Sequence, residues 1–247
     1  MHKYILNKKN EEFSDFILNI RTFFSKNTES IHKARNELKI INYKDTNVVV
    51  KSFKVPNLVR RFIYTFLRDS KAKKSYDNSL KIGSFTPEPI GYIEFYKNFL
   101  LADSYFIAKK FDYDFTIKEP IVNQDFPNRE KIFQELAQFT FQLHQNNIFH
   151  KDFSPGNILI KQEEEKYIFK IVDINRMTFK RLSIQERFKN FSKLWMRDKD
   201  MEIIAKEYAK LLKEDETKCI DLAIDYSRAL KRKINMKKRL KGIEVVD

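Results

Sequence analysis

From Glu11 to Ser25 the residues Phe13, Phe16, Ile17, Ile20, Phe23 and Phe24 recur at helical spacing. That pattern predicts a helix whose apolar stripe packs on the body of the protein rather than lying on a membrane. The rhythm then changes. Glu37–Tyr43, with Leu38, Ile40 and Ile41, and Thr46–Phe53 both look like strands, and Lys44-Asp45 fits the hairpin turn between them. A basic helical stretch runs from about Pro56 to Ile82, and Thr86-Pro87-Glu88-Pro89 breaks it. Gly91–Leu101 and Ser104–Lys109 suggest a second strand pair. Residues 1–110 are therefore expected to form a small sheet with an inserted helix.

Residues 111–247 carry a mostly helical pattern. Asn128 can cap a helix that runs to about Gln145, with Phe133, Leu136, Ala137, Thr140 and Leu143 facing a core. Two short strands, Ile158–Ile160 and Tyr167–Val172, flank the turn Glu163-Glu164-Glu165-Lys166. From Ser183 onward helices return, with one stripe at Phe188, Phe191 and Trp195 and another at Leu222, Tyr226 and Leu230. No internal repeat or low-complexity linker interrupts the chain, so the boundary near 110 is a change of pattern.

Composition narrows the chemistry. The chain has 247 residues, one cysteine (Cys219) and four glycines, at 83, 91, 156 and 242. One cysteine excludes an intrachain disulfide and a cysteine-based metal cluster. Those glycine positions exclude a dinucleotide fingerprint and a Walker A loop, and the serine-hydrolase and zincin signatures are missing too. Forty-eight basic against 34 acidic residues give a net charge of +14, which draws the chain toward polyanions. No apolar run is long enough for a signal peptide or a membrane span, so the protein is expected to stay in the cytoplasm, in solution or on a membrane surface.

The chemistry concentrates in His150-Lys151-Asp152-Phe153-Ser154-Pro155-Gly156-Asn157, followed by a strand, a charged turn, a second strand and Asp173-Ile174-Asn175. His-x-Asp-x4-Asn in this order resembles the catalytic loop and metal-binding turn of protein-kinase-like phosphotransferases. Val48-Val49-Val50-Lys51 resembles their ATP-lysine strand. Phosphoryl transfer depends on positioning and charge neutralisation. Asp152 would orient an acceptor alcohol and take its proton. The Asn157 amide oxygen and the Asp173 carboxylate would hold Mg2+, which prefers hard oxygen ligands. Lys51 would hold the α- and β-phosphates of ATP. His150 is expected to brace the loop rather than react, and His144 to pack at a helix end. The four side chains Lys51, Asp152, Asn157 and Asp173 are expected to converge on one triphosphate.

Arg68-Asp69-Ser70-Lys71-Ala72-Lys73-Lys74-Ser75-Tyr76, Thr86-Pro87-Glu88-Pro89-Ile90 and Asp173-Ile174-Asn175-Arg176, taken with the catalytic loop, resemble the lipopolysaccharide kinase family over roughly residues 30–195. That group phosphorylates Kdo or heptose of the inner core. The resemblance implies an α+β, protein-kinase-like two-lobed fold with a small antiparallel-sheet N-lobe (1–110) and a mostly helical C-lobe (111–247). It also implies ATP, Mg2+ and a lipid-linked glycan acceptor. It places the helix acid that pairs with the ATP lysine at Asp77, where the family usually has Glu.

Three features depart from the pattern. No glycine-rich loop covers the nucleotide, and Lys33-Ala34-Arg35-Asn36 stands near its place. Lys151 replaces the common Arg, which argues against activation by a phosphorylated loop. Asn175 replaces Gly after Asp173, and Asn tolerates a left-handed backbone. The carboxy-terminal cluster Arg228, Lys231, Arg232, Lys233, Lys237, Lys238, Arg239 and Lys241 is either a solvated helix face or a contact for anionic lipid or lipid A phosphates. Two rival functions stay open: a kinase for a small aminoglycoside- or choline-like acceptor, and a non-catalytic kinase-fold binding protein. A nucleic-acid partner is not expected, since charge alone supports one.

Overall fold

The computed structural model describes residues 1–28, 30, 32–33, 36–53 and 57–245. The chain forms two compact units: Met1–Asp112 with Asp173–Asn175, and Tyr113–Val172 with Arg176–Asp247.

The first unit contains β1 (His2–Leu6), α1 (Ser14–Leu18), α2 (Ile20–Lys26), β2 (His32–Lys33), β3 (Asn36–Tyr43), β4 (Thr46–Phe53), α3 (Leu58–Phe66), α4 (Lys71–Ile82), β5 (Pro89–Lys97) and β6 (Leu100–Lys109). Its six strands form one antiparallel sheet in the order β1-β5-β6-β4-β3-β2. Strand alternation gives this sheet two working faces. Val48 and Val50 point to one face and are buried with Phe13, Phe16, Ile17, Ile20 and Phe24. Phe53 points to the other face and packs with Ala72 and Tyr76 of α4 and Tyr92 of β5. Lys51, two residues before Phe53, shares that second face.

The predicted amino-terminal helix is therefore a packed element, but it is broken. A 3-10 turn over Lys8–Phe13 precedes α1, and Asn19 (φ −102°, ψ 18°) separates α1 from α2. The stripe still works because its residues keep facing the sheet across the break. β1, which the sequence reading missed, covers the sheet edge beside β5. Gly91 permits this: a Cβ there would stand 2.5 Å from the Ile5 carbonyl oxygen and 2.9 Å from Ile17 Cδ1.

Lys44 and Asp45 make the expected hairpin turn, both with positive φ (47° and 62°), as a two-residue turn matched to strand twist requires. The second hairpin differs from expectation. It turns at Asn98-Phe99 (φ 52° and 61°), not near Ala102-Asp103, so β5 ends at Lys97 rather than Leu101 and β6 starts at Leu100 rather than Ser104. The basic helical stretch is two helices rather than one. Asn57 caps α3 by accepting from the Arg60 N–H, and Ser70 caps α4 by accepting from the Lys73 N–H. Its expected start, Pro56, lies outside the described residues, as do Ala34 and Arg35.

The second unit contains β7 (Phe115–Thr116), α5 (Lys118–Val122), α6 (Arg129–Gln145), β8 (Ile148–His150), β9 (Ile158–Glu163), β10 (Lys166–Ile171), β11 (Met177–Phe179), α7 (Ile184–Phe191), α8 (Asp198–Leu212) and α9 (Glu216–Arg239). β10-β9-β7 form one small sheet and β11-β8 another. α8 packs between α6 and α9, and α7 packs on α9. Ile132, Phe133, Leu136, Ala137, Thr140 and Leu143 bury the core face of α6. Asn128 precedes that helix as expected, but in a left-handed conformation and without a side-chain capping bond. Ser183 and Glu186 form a reciprocal capping box at α7. Two stripes shift from their expected positions: Trp195 lies beyond α7 in a left-handed residue, and α9 fully buries Cys219, Ala223 and Ser227.

Candidate active site

In the first unit, Lys51 on β4 directs Nζ at Asp173, and the ammonium donates to Asp173 Oδ1 at 2.5 Å. The Asn175 amide donates to the same oxygen at 2.6 Å. Both bonds end on Oδ1, so Oδ2 takes part in neither. Asp173 itself holds the left-handed backbone (φ 56°). The turn therefore survives the loss of Gly differently from the sequence expectation. Asp173 takes the unusual conformation, and Asn175 sits in a short 3-10 turn where its side chain steadies the carboxylate.

Asp77 does not pair with Lys51. Its carboxylate binds Lys73 one turn earlier on α4, at 2.8 Å, and the side chain is half exposed. Helical phase explains the correction. Ala72, Ser75, Tyr76, Ser79 and Ile82 are the buried residues of α4. At 100° per residue, Asp77 lies roughly 180° from the centre of the arc through Ala72, Ser75, Ser79 and Ile82. No acidic residue lies on that buried face. The α4 residue that reaches the Asp173–Asn175 turn is Asn78, whose amide donates to the Ile174 carbonyl at 2.6 Å. The sequence reading missed Asn78; its place beside the buried stripe is the signal that could have found it.

In the second unit, the catalytic loop ties itself together. The Asp152 N–H donates to His150 Nδ1 at 3.0 Å, and His150 Nε2 lies 3.0 Å from the Val172 carbonyl. These partners fix the tautomer: Nδ1 accepts and Nε2–H donates. His150 is buried, and both ring nitrogens are bonded to the backbone of this region. The Asp152 carbonyl accepts from Ser154 N–H at 2.8 Å and from Asn157 Nδ2 at 2.9 Å. With Nδ2 engaged, Asn157 Oδ1 takes no part in that bond and is left to another partner. The Asp152 carboxylate is partly exposed, 3.8 Å from the Arg176 guanidinium.

A buried relay supports this loop. Arg187 donates to the Tyr208 oxygen at 3.3 Å, and Tyr208 O–H meets His144 Nδ1 at 2.6 Å. His144 Nε2 meets Asn190 Oδ1 at 3.1 Å, and Asn190 Nδ2 donates to the His150 carbonyl at 2.9 Å. An amide oxygen only accepts, so His144 must donate from Nε2 and accept at Nδ1. Every donor in the chain then has an acceptor. Burial lowers the His144 pKa to about 4, which keeps the ring neutral for this role. His144 is thus more than helix-end packing. Asn190 and Tyr208 lie 46 and 64 residues away from it, and no local pattern joins them.

The residues suit magnesium chemically. Asp173 Oδ2 and Asn157 Oδ1 are hard oxygens outside the hydrogen bonds just described, and magnesium takes few protein ligands beside substrate phosphates. Among the described residues no group of three or more His, Cys, Asp or Glu could hold a metal. In the carboxy-terminal cluster, Arg228 pairs with Asp198 at 2.6 Å, Lys231 binds the Met196 carbonyl at 2.5 Å, and Lys238 lies over the Trp195 ring. Part of that cluster therefore fastens α9 to the start of α8 and the segment just before it.

Residues 119–214 match the model of the lipopolysaccharide kinase (Kdo/WaaP) family. The matched span contains the whole catalytic loop and Asp173. A solved structure described as WaaP in complex with acyl carrier protein is similar at a TM-score of 0.60 and 10% identity, covering 94% of this chain and 97% of that one. The Rio2 kinase–ADP/Mg2+–phosphoaspartate complex from Chaetomium thermophilum aligns at a TM-score of 0.48 and 16% identity, covering 91% of this chain and 72% of that one. No curated protein matches. The chain has a protein-kinase-like fold, with an antiparallel-sheet amino-terminal unit and a mostly helical carboxy-terminal unit. The resemblance to lipopolysaccharide kinases that its motifs carry is borne out by the family match.

Proposed function

We propose that this ATP-dependent phosphotransferase moves the γ-phosphoryl group of ATP to a Kdo or heptose hydroxyl of the lipopolysaccharide inner core. The family match over 119–214 carries the reading. Asp152, held by His150 through its own N–H and partly exposed, orients the acceptor hydroxyl and accepts its proton. Lys51 holds the α- and β-phosphates and balances the charge of Asp173. Asn157 and Asp173 supply oxygens to Mg2+, which neutralises phosphate charge when bound. The acceptor is lipid-linked, and the reading places the protein peripherally on the inner face of the cytoplasmic membrane.

An acceptor panel with labelled ATP tests the reading. Transfer to Kdo–lipid A or to a heptose-bearing core is expected. Transfer to a soluble amino-alcohol but to neither glycan overturns it. Mass spectrometry of the lipid A–core from cells with and without the gene should differ by one phosphate.

A further inference from the structure

α3 turns much of its apolar surface to water. Arg61 and Thr65 face the protein together with the half-buried Ile63 and Tyr64, while Leu58, Val59, Phe62 and Phe66 are exposed beside Arg60. Arg61 Nε donates to the Leu101 carbonyl at 2.7 Å, and Arg61 also donates to the Lys97 carbonyl at 3.1 Å. Thr65 Oγ1 accepts from the Leu101 N–H at 2.9 Å. These bonds fix α3 to the β5–β6 hairpin. They turn Leu58, Val59, Phe62 and Phe66 outward, 53–70% exposed, and α3 buries no residue at all. An amphipathic helix on a water-soluble surface normally does the reverse.

The hairpin held by Arg61 carries Phe99 at its tip, 85% exposed. Phe99 has φ 61°, a conformation disfavoured for a side chain of this kind and ordinarily given to Gly or Asn in such a turn. Neither packing nor turn chemistry accounts for a phenylalanine here. The surroundings are cationic: Asn57–Lys74 contains Arg60, Arg61, Arg68, Lys71, Lys73 and Lys74 against Asp69 alone.

We propose that α3 and the Phe99 tip form a seat for an anionic phospholipid surface, with the phenylalanines entering the headgroup–acyl boundary and the basic residues meeting lipid phosphates. Charge favours this occupant. A second copy would bring an equally cationic segment against the first, whereas an anionic bilayer complements it. The nine residues of α3 are too few to span a bilayer, and among the described residues no helix is long and apolar enough to cross one. The seat lies on the first unit, and the carboxy-terminal basic cluster belongs to the second. The proposal does not rest on the phosphotransfer reading.

Sedimentation of the full chain with phosphatidylcholine vesicles, with and without phosphatidylglycerol, tests it. The parent should bind the phosphatidylglycerol vesicles, and Phe62→Ser/Phe66→Ser and Phe99→Ser should each weaken binding by about tenfold or more. Their melting temperatures should match the parent, since these side chains are exposed. Phe99→Trp, compared with the parent and its single tryptophan, should gain emission that shifts to the blue with anionic vesicles only. The proposal is overturned if the variants bind as the parent does, if the parent binds neither vesicle, or if Phe99→Trp emission ignores the vesicles. It is also overturned if light scattering finds a parent dimer that Phe62→Ser/Phe66→Ser splits.

Discussion

Lys51 Nζ and Asp173 Oδ1 stand 2.5 Å apart, although 122 residues separate them in the chain. A lysine on the sheet of the first unit thus holds the carboxylate of the Asp173–Asn175 turn directly. Removing either partner should abolish most phosphotransfer. Lys51→Met and Asp173→Asn are each expected to lower kcat/KM by about 100-fold or more, the usual loss when a positioned electrostatic group is deleted. Labelled-ATP kinetics checks this, and near-parent activity in either variant would remove these residues from the site.

On α4 the two neighbours Asp77 and Asn78 should behave oppositely. Asp77→Ala breaks a half-exposed pair with Lys73 and should cost no more than about 0.5 kcal/mol, with activity near the parent's. Asn78→Ala removes the bond to the Ile174 carbonyl and should cost about 1 kcal/mol while raising the Mg2+ concentration needed for activity. Chemical denaturation and a magnesium titration read both effects.

Within the catalytic loop, Asp152→Ala should cut kcat by about 100-fold or more with little change in KM for ATP, as expected on loss of a proton acceptor. Asn157→Ala should act twice, loosening the loop by loss of the bond to the Asp152 carbonyl and weakening the response to Mg2+. Thermal shift with a non-hydrolysable ATP analogue, with and without chelator, separates these effects. Parent-like stabilisation by magnesium in Asn157→Ala would exclude it as a ligand.

His144 gives the fold an acid limit. Its pKa in the folded chain is lowered from 6.5 to about 4 by burial, so the unfolded chain takes up the proton first as pH falls. The stability tied to the neutral ring is complete above the ordinary value and is lost as pH drops toward about 4, a term of roughly 3 kcal/mol from the size of the shift. Denaturation midpoints from pH 7 down to pH 4 should fall more steeply in the parent than in His144→Gln. Equal slopes would show that the relay does not depend on the neutral imidazole.

Much of this protein could be read from local spacing. Thr46–Phe53 carries a run of β-branched residues after a turn, which reads as a strand, and that strand is observed with the same ends. His150, Asp152 and Asn157 lie within eight residues, close enough that their bonds to one another are local. The amino-terminal stripe was legible because burial depends on which face a residue takes, and Asn19 could break the helix without turning that face away.

The tertiary structure decided what depends on phase and distance. Whether Asp77 or Asn78 reaches the Asp173–Asn175 turn depends on about 100° of helix rotation, which a motif does not record. The joining of Arg187, Tyr208, His144 and Asn190 depends on three helices packing together, and the direction in which α3 faces depends on Arg61 finding the carbonyls of a hairpin some 40 residues downstream. Sequence period sets which residues share a face. Only packing sets what that face meets, because the bonds that choose the partner come from distant parts of the chain.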